Sequence, residues 1–262
     1  RRSITGKTEP RTTSTSKKTM TLPTSATSIS ATNACIKPFV YDEADSKSLH
    51  FTINELQSRM RISHPIELEL AYTKTMMGFV VLNRHPRSIA MIGLGGGSLA
   101  KFCRHVLPQA NFIAIEINPH VIALRNEFHI PKNSDLFRVI EADGAEYVHR
   151  VKGSLDVLLV DGYDYQGQPA ELCSEKFYEG CREALTANGV LAVNFHEDHP
   201  RYETFIDRLA TVFEGKVVEV SANNDGNVIV FASRDMKVSP PGLRTVIAAN
   251  VEDWPAWLAR NG

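Results

Sequence analysis

The sequence has no apolar run long enough to cross a membrane, and it carries almost no net charge. No hydrophobic stretch approaches the roughly 18 to 20 residues that a spanning helix needs, so we expect no membrane insertion. The formal net charge is −1, and such a chain has no overall field that would attract nucleic acid or an anionic surface. We therefore expect neither a nucleic-acid nor a membrane partner.

Cysteine is also sparse. The 4 cysteines form no Cys-x-x-Cys pair and have no metal-ligand spacing with histidine. We interpret them as reduced and mostly buried thiols in a cytoplasmic protein. They are Cys35, Cys103, Cys173 and Cys181.

The first 34 residues contain few large apolar side chains and many serines and threonines. Such a segment cannot bury enough apolar surface to offset its ordering entropy, so a disordered tail is predicted over 1–34. A targeting segment rich in Arg and Ser is the alternative, although little amphipathic pattern is visible. The chain as a whole, 262 residues and 43% hydrophobic, can form one full-sized domain with a small appendage.

The segment 35–66 has the pattern of a small β module. Its runs "KPFVY", "SLHFTI" and "SRMRIS" are rich in β-branched and aromatic residues, with polar residues between them. Apolar residues then recur at helical spacing through "HPIELELAYTKTMMGFVVL", where Leu68, Tyr72 and Met76 would share a face. One helix is expected there, at the start of a main domain over 67–235.

Beyond Pro86, strands and helices alternate. Continuous apolar runs such as "DVLLVD" indicate buried strands, and their alternation with helices is typical of a parallel sheet covered on both faces. Strands are predicted over Ile89–Leu94, Phe112–Ile117, Phe137–Glu141, Val157–Val160 and Val190–Phe195. Helices are predicted over Leu99–Val106, Pro119–Phe128, Ala145–Val151, Glu175–Leu185 and Tyr202–Phe213.

The end of this domain breaks the alternation. "KVVEVSA" and "NVIVFAS" have strand patterns and are joined by "NNDG" without a helix, which indicates a β-hairpin and an antiparallel last strand. An α/β sheet that is mostly parallel and ends in such a hairpin resembles the S-adenosylmethionine-dependent methyltransferases, whose fold is Rossmann-like. Residues 236–262 are predicted as a C-terminal tail, in which Trp254 and Trp257 are expected to pack on the core or on a partner subunit.

The stretch "SIAMIGLGGGSLAKF" places four glycines, Gly93, Gly95, Gly96 and Gly97, between a strand and a helix. Open α/β sheets bind ligands at this edge, and glycine lets a ligand come close to the backbone. A turn that serves only strand–helix packing is the alternative. The loop lacks the Lys-Ser/Thr ending of a nucleotide-triphosphate loop, so its expected ligand is adenosine carrying a cationic sulfur rather than a pyrophosphate.

Carboxylates follow at the ends of the next predicted strands. Glu116 lies about 20 residues after the glycine loop, where an acid typically accepts hydrogen bonds from ribose hydroxyls. Asp143 follows the third strand and could face an adenine amino group, while Asp161 follows the fourth strand, with Asp164 shortly after it. Each alone could be a helix N-cap. Together they predict a nucleoside cradle along one edge of the sheet.

These segments resemble a known family. "IGLGGGS", "AIEINPHVI", "ADGAEYV" and "LLVDGYDYQGQPAEL" are similar to the spermidine synthases and their bacterial relatives, which are polyamine aminopropyltransferases on a methyltransferase-like fold. The resemblance covers roughly 72–233, and the β module before it fits the family's N-terminal β domain. Its most specific part is the Asp-x-x-Asp loop leading into Pro169-Ala170-Glu171-Leu172, which ordinary methyltransferases do not share. A homodimer formed through the β module is expected on this resemblance.

The resemblance implies a nucleoside site and an amine site. In the nucleoside site the glycine loop would approach the ligand, Glu116 with Ile117 would bind ribose, and Asp143 with Gly144 would flank adenine. The implied ligand is decarboxylated S-adenosylmethionine or S-adenosylmethionine, used as a co-substrate.

In the amine site, the resemblance implies that Asp161 accepts the proton of the attacking amine, Asp164 holds the polyamine and Tyr72 lines the pocket. An amine that attacks the carbon next to a sulfonium must lose its proton and be held in line, and a carboxylate can do both. The sulfonium is already an excellent leaving group, so no metal, prosthetic group or covalent enzyme intermediate is expected.

Three positions depart from the family. Gly96 stands where the family usually has an aspartate that engages the aminopropyl amine. Thr73 and Lys74 follow the pocket tyrosine in place of a Gln-Glu pair, and Asn223 replaces a tyrosine that commonly closes the diamine site. If Lys74 points inward, like-charge repulsion would weaken diamine binding; pointing outward is the alternative.

The loop "NFHEDH" over 194–199 brings two histidines and two acids close together. A solvated helix entry is the ordinary interpretation, and a metal site and a general-base role for His196 are the alternatives.

Three functions remain open at this point. The first is transfer of an aminopropyl group from decarboxylated S-adenosylmethionine to an amine. The second is methyl transfer from S-adenosylmethionine to a small or unusual acceptor, which Gly96 and Lys74 favour. The third is non-catalytic nucleoside binding. The sequence does not identify the acceptor.

Overall fold

A computed structural model describes residues 35–53, 55–164, 167–222 and 226–262. The predicted tail over 1–34 and residues 223–225 of the predicted hairpin turn, with Asn223 among them, lie outside the described residues. Among the helices of those described ranges, none is long and apolar enough to cross a membrane.

The predicted β module is a three-stranded antiparallel sheet. Its strands, in spatial order, are β1 (Phe39–Asp42), β2 (Ser46–Thr52) and β3 (Glu55–Arg61). Leu49 of β2 and Met60 of β3 are almost fully buried and belong to the same apolar cluster as the first helices of the main domain. The module therefore packs on the main domain through its apolar side chains.

The main domain contains a seven-stranded sheet with the spatial order β6-β5-β4-β7-β8-β10-β9. Strands β4 to β8 run parallel to one another, and β10 is antiparallel to both of its neighbours, β8 and β9. This confirms the predicted mostly parallel sheet with a closing antiparallel hairpin. The strands are β4 (Ser88–Ile92), β5 (Asn111–Glu116), β6 (Phe137–Glu141), β7 (Leu155–Val160), β8 (Leu185–His196), β9 (Val217–Ser221) and β10 (Asn227–Ser233).

Helices cover both faces of this sheet. Alternate residues of each central strand enter two different apolar clusters: Ile89 and Met91 pack on one face, and Ala90 and Ile92 on the other. The helices are α1 (Ala71–Met76), α2 (Phe79–Leu82), α3 (Ser98–Val106), α4 (Pro119–Ala123), α5 (Gly144–Arg150), α6 (Glu175–Ala184), α7 (Tyr202–Val212), α8 (Pro240–Asn250) and α9 (Trp254–Asn261), with a 3-10 turn over Ala170–Cys173.

Two predicted helices differ from the structure. The single helix expected from Leu68 to Val80 is instead two short helices that meet at Gly78, where a Cβ atom would lie 2.5 Å from the side chain of Ile247 on α8. The helix predicted over Pro119–Phe128 ends at Ala123, and turns follow it. In both places a tertiary contact or local turn overrides the apolar periodicity.

Residues 236–262, predicted only as a C-terminal tail, form α8 and α9. Trp254 and Trp257 are both buried in the apolar cluster that lies beneath α1 and α2. This agrees with the expectation that the tryptophans pack on the core.

Candidate active site

The glycine loop lies between β4 and α3 and presses directly on the end of β7. Gly93 has a φ of +90°, and a Cβ atom there would lie 2.2 Å from the backbone oxygen of Asp161. Only glycine fits such a conformation and such a contact. The close packing brings the start of the loop against the backbone of Asp161, the residue that the sequence singled out as the base.

The neighbours of Gly96 leave no room for a side chain at this position. Its φ is not positive, but a Cβ atom would lie 2.6 Å from the hydroxyl of Ser58 on β3 and 2.8 Å from the ring of Phe128. The β module and the turn after α4 therefore fill the space that an aspartate at this position would need. Gly95 and Gly97 flank it, both with positive φ.

Glu116 connects the end of β5 to the glycine loop. Its carboxylate accepts the backbone N–H of Leu94 on one oxygen and that of Asn118 on the other, each at 2.8 Å. Burial raises its pKa, and these backbone hydrogen bonds oppose that rise. Each carboxylate oxygen keeps acceptor capacity for a ligand. Ile117 next to it is 45% exposed.

Asp143 caps α5, which was the ordinary alternative for this residue. Its Oδ1 accepts the N–H of Ala145 at 2.8 Å. A Cβ atom on Gly144 would lie 2.4 Å from Ile92, so this glycine lets the start of α5 pack against β4. Both residues lie at the same sheet edge as Glu116, because β4, β5 and β6 are parallel neighbours.

Asp161 is held between two donors. The phenol of Tyr72 donates to Oδ2 at 3.1 Å, and the side-chain amide of Asn194 donates to Oδ1 at 2.9 Å. Burial raises the pKa of Asp161, while both hydrogen bonds favour the ionised form. Burial and the nearby carboxylate raise the pKa of Tyr72 well above its usual range, so the phenol keeps its proton and remains a donor.

Asp164 pairs with Gly167 in the loop after β7. Its backbone N–H and C=O pair with those of Gly167 at 2.9 and 3.2 Å. Asp164 is partly buried. Tyr163, between the two aspartates, donates its hydroxyl to the backbone oxygen of Asn194 at 2.9 Å, and Gln168 donates to the same oxygen at 3.3 Å.

The sequence did not predict a role for Asn194 or Asn227. Asn194 lies within the apolar strand β8 and is 2% exposed, and Asn227 begins β10 and is 7% exposed. The amide of Asn227 donates to Oδ1 of Asn194 at 2.9 Å and lies 3.4 Å from Nε2 of His196. The available signal was an amide inside a run of apolar strand residues, because such a group needs a partner when buried.

Lys74 points away from Asp161. Its ε-amino group pairs with Glu252, and its backbone oxygen accepts the indole N–H of Trp254 at 2.7 Å. Of the two orientations that the sequence left open for this lysine, the structure therefore has the outward one.

The loop after β8 is a helix entry. Nδ1 of His199 accepts the N–H of Arg201 at 3.1 Å, just before α7. Within the described residues, no group of three or more side chains of the metal-binding types lies close enough to hold an ion. His196 is exposed and lies edge-on to the ring of Tyr163. Cys173 is buried, and burial raises its pKa to about 12.

A mostly parallel sheet closed by an antiparallel strand, with a glycine loop and carboxylates at one edge, defines a methyltransferase-like α/β fold. Two solved structures agree with this class. A probable spermidine synthase from Corynebacterium glutamicum has a TM-score of 0.70 at 17% identity, covering 86% of this chain and 89% of that one. Human methyltransferase-like protein 13 in complex with SAH has a TM-score of 0.62 at 22% identity, covering 71% and 91%.

The sequence comparisons identify the family. The spermine/spermidine synthase domain matches residues 69–223. A polyamine aminopropyltransferase of Chromobacterium violaceum is 44% identical over 196 residues, which are 74% of this chain and 75% of that protein. The chain belongs to the spermine/spermidine synthase family and is a transferase of the aminopropyltransferase type, which confirms the resemblance and the predicted enzyme class.

Proposed function

We propose that the protein transfers the aminopropyl group of decarboxylated S-adenosylmethionine to an amine acceptor and releases methylthioadenosine. The observation that carries this proposal is the Asp161 carboxylate, which accepts hydrogen bonds from Tyr72 and Asn194, in a residue whose backbone oxygen packs against Gly93 of the glycine loop. A carboxylate at this place can attract an ammonium group and remove its proton at the edge where the nucleoside is proposed to bind.

The donor is proposed to bind along the ends of β4, β5 and β6. The glycine loop would let the backbone approach the sugar and the aminopropyl chain, and Glu116 would accept hydrogen bonds from ribose hydroxyls with its remaining lone pairs. The exposed side chain of Ile117 offers an apolar surface for adenine, with Asp143 and Gly144 at its edge. Asp143 accepts the N–H of Ala145 on Oδ1, and a carboxylate has further acceptor capacity that could serve an amino group.

The acceptor is proposed to bind at Asp161 and Asp164. Asp161 would take the proton of the acceptor ammonium, because its raised pKa makes it a stronger base than an exposed carboxylate. The nitrogen lone pair then attacks the carbon next to the sulfonium, the C–S electron pair moves to sulfur, and the neutral thioether leaves. Tyr72 keeps the carboxylate in place and ionised, and Asp164 would hold the rest of the amine.

The deciding experiment is an assay of methylthioadenosine release from decarboxylated S-adenosylmethionine with putrescine, with spermidine and without acceptor. We expect release that depends on the amine. Asp161→Asn should keep nucleoside binding but lower turnover by about 10² to 10⁴-fold, since that is the usual contribution of a positioned base. Wild-type turnover in this variant would remove Asp161 from the mechanism.

A methyltransferase is the second candidate, and the observation that favours it is Gly96. Ser58 and Phe128 fill the space of the aspartate that the family resemblance places there, so the donor's amine loses that partner. Lys74 no longer supports this candidate, because it pairs with Glu252. A parallel assay with intact S-adenosylmethionine distinguishes the two: methyl transfer without aminopropyl transfer would favour the methyltransferase.

We also propose that the protein is a homodimer, as the family resemblance implies. The outer strand β1 carries Phe39 and Tyr41 with 42% and 58% of their surfaces exposed, and among the described residues β1 pairs with β2 alone. Sedimentation equilibrium measures the assembly directly, and a monomer at micromolar concentration would contradict the proposal.

A further inference from the structure

We propose that Asn194 and Asn227 are positioning residues for the base: Asn227 fixes the amide of Asn194, and Asn194 fixes the carboxylate of Asp161. The inference rests on the proposed function only in assigning Asp161 the proton of the acceptor. The hydrogen-bond chain itself is independent of that assignment and can be tested without turnover.

The chain is short and buried. Nδ2 of Asn194 lies 2.9 Å from Oδ1 of Asp161, and Nδ2 of Asn227 lies 2.9 Å from Oδ1 of Asn194. Asn194 is 2% exposed and Asn227 is 7% exposed. A misplaced amide at this depth would leave polar atoms without partners, which is costly.

The strand register places the two amides side by side. In the antiparallel pair of β8 and β10, His196 lies opposite Asn227 and Asn194 lies opposite Ile229. Asn194 and His196 share one face of β8, so Asn227 is the diagonal neighbour of Asn194 on that face. Ala192, two residues before Asn194, enters the apolar cluster that contains the buried residues of α1. This is the face on which Tyr72 reaches Asp161.

The donors and acceptors allow one orientation of the two side-chain amides in this hydrogen-bond chain. An ionised carboxylate accepts and cannot donate, so Asn194 must turn its NH₂ group toward Asp161 and its oxygen toward Asn227. Asn227 must then turn its own NH₂ group toward Asn194. Nδ2 of Asn227 also lies 3.4 Å from Nε2 of His196, which can accept the second N–H of the amide when that ring nitrogen carries no proton. Rotating the amide of Asn194 would place its oxygen against the carboxylate of Asp161, and rotating that of Asn227 would place its oxygen against the oxygen of Asn194. Asn227 therefore fixes the orientation of Asn194, which in turn keeps its donor on Asp161.

Asn194 also holds the loop that carries both aspartates. Its backbone oxygen accepts from the hydroxyl of Tyr163 at 2.9 Å and from the amide of Gln168 at 3.3 Å. One residue of β8 thus contacts the carboxylate through its side chain and the loop through its backbone. The position of Asp161 relative to its loop depends on Asn194.

The test compares three variants that remove or reverse the chain. Asn194→Ala removes the donor to Asp161, Asn227→Ala removes the donor to Asn194, and Asn227→Asp places an acceptor against the Asn194 oxygen. Because the hydrogen bond from Asn194 favours the ionised carboxylate, each change should raise the pKa of Asp161. We expect the acid limb of kcat/KM to move up by about one pH unit, and kcat to fall by about 10²-fold with methylthioadenosine affinity unchanged.

Ser233→Ala is the matched control. Ser233 lies near the opposite end of β10 and donates to the backbone oxygen of Gly189 at 2.9 Å, so its loss also removes a buried side-chain hydrogen bond from the same strand pair. We expect this variant to be less stable than wild type but to keep its acid limb. The two variants at Asn227 should differ in size of effect: Asn227→Asp should shift the acid limb of kcat/KM further than Asn227→Ala.

A measurement without turnover separates this inference from the proposed function. Carboxyl ¹³C resonances of labelled aspartate report the ionisation of Asp161, which is assigned by its loss in Asp161→Asn. A titration at higher pH in the Asn variants than in wild type and Ser233→Ala supports the chain, even if no amine is a substrate. The same Asp161 titration in all folded variants would overturn it. If Asn227→Asp fails to fold, Asn227→Ala and Asn194→Ala decide the question.

Discussion

The phenol of Tyr72 on α1 and the carboxylate of Asp161 at the end of β7 are joined by a hydrogen bond of 3.1 Å across 89 positions of the chain. The phenol remains protonated because its pKa is raised by burial and by this carboxylate. Tyr72 is therefore a fixed donor, and the charge of Asp161 depends on it.

Replacing Tyr72 by Phe should alter the pH dependence of catalysis. The hydrogen bond from the phenol lowers the pKa of Asp161 against the rise caused by burial, so its loss raises that pKa. A proton acceptor works only when ionised, and the acid limb of kcat/KM should therefore move to higher pH, by about one unit. Initial rates from pH 5 to 9 measure the shift; an acid limb that stays in place would show that the phenol does not control the carboxylate.

Asp161→Asn should also stabilise the folded protein at neutral pH. Because burial raises the pKa of this carboxyl, its ionised form costs stability above the folded-state pKa, and the cost disappears below the unfolded-state pKa of about 3.9. The gain in Tm should be present at pH 8 and should fall toward zero near pH 4. Thermal unfolding across this range, with the exposed Asp135→Asn as control, checks it. A lower Tm at pH 8 would mean that Asp161 contributes more through its hydrogen bonds than it costs.

Gly96→Asp should destabilise the protein. A side chain there collides with Ser58 and with the buried Phe128, and overpacking of this kind typically costs about 1 to 3 kcal/mol. Ser58→Gly removes one of the two obstacles. Introducing Gly96→Asp into the Ser58→Gly background should therefore cost less unfolding free energy than introducing it into wild type. Urea unfolding of all four proteins of the cycle gives the coupling. Equal losses in both backgrounds would show that Ser58 does not limit this position.

Lys101→Met should raise stability near neutral pH. The ε-amino group is buried on α3 and donates to the backbone oxygen of Phe128 at 2.8 Å, and burial lowers its pKa from 10.5 to about 8. The folded protein therefore disfavours the charged form that the unfolded chain keeps, and the penalty is complete below about pH 8. As pH rises from 8 toward 10.5, wild type should become more stable and the advantage of the variant should shrink.

Guanidinium unfolding at pH 7 and at pH 10 measures this difference. The matched control is Lys132→Met, which changes an exposed lysine. A gain in Lys101→Met that does not depend on pH would assign the effect to packing rather than to charge.

The architecture followed from the sequence because its signals are local. Continuous apolar runs gave the parallel strands, and the Asp-Gly turn between two strand patterns gave the closing hairpin. The positions of single acids after those strands predicted that Glu116 and Asp161 lie at strand ends of the sheet, where the structure has them. Each of these signals is contained within about 20 residues, where hydrophobic pattern and turn chemistry act.

The features that the sequence did not predict depend on contacts between residues far apart in the chain. Lys74 had two possible orientations because its partner, Glu252, lies 178 positions away. Gly78 interrupts a helical pattern because of Ile247, and the pairing of Asn194 with Asn227 requires the register of β8 and β10. No local pattern contains these facts. A buried amide in an apolar strand was the one visible sign, and it does not identify its partner.

The attachment of α1 to the C-terminal helices determines when, during synthesis, Tyr72 can be fixed against Asp161. Tyr72 stands on a helix of six residues, and that helix is held by the indole of Trp254 and the carboxylate of Glu252. A helix this short has little stability alone. The growing chain therefore contains Asp161, the glycine loop and the strands β8 and β10 on which α1 packs before it contains the two residues that anchor α1 from the C-terminal side. We expect a ribosome-bound chain that stops before Glu252 to bind the nucleoside and to lack the fixed phenol.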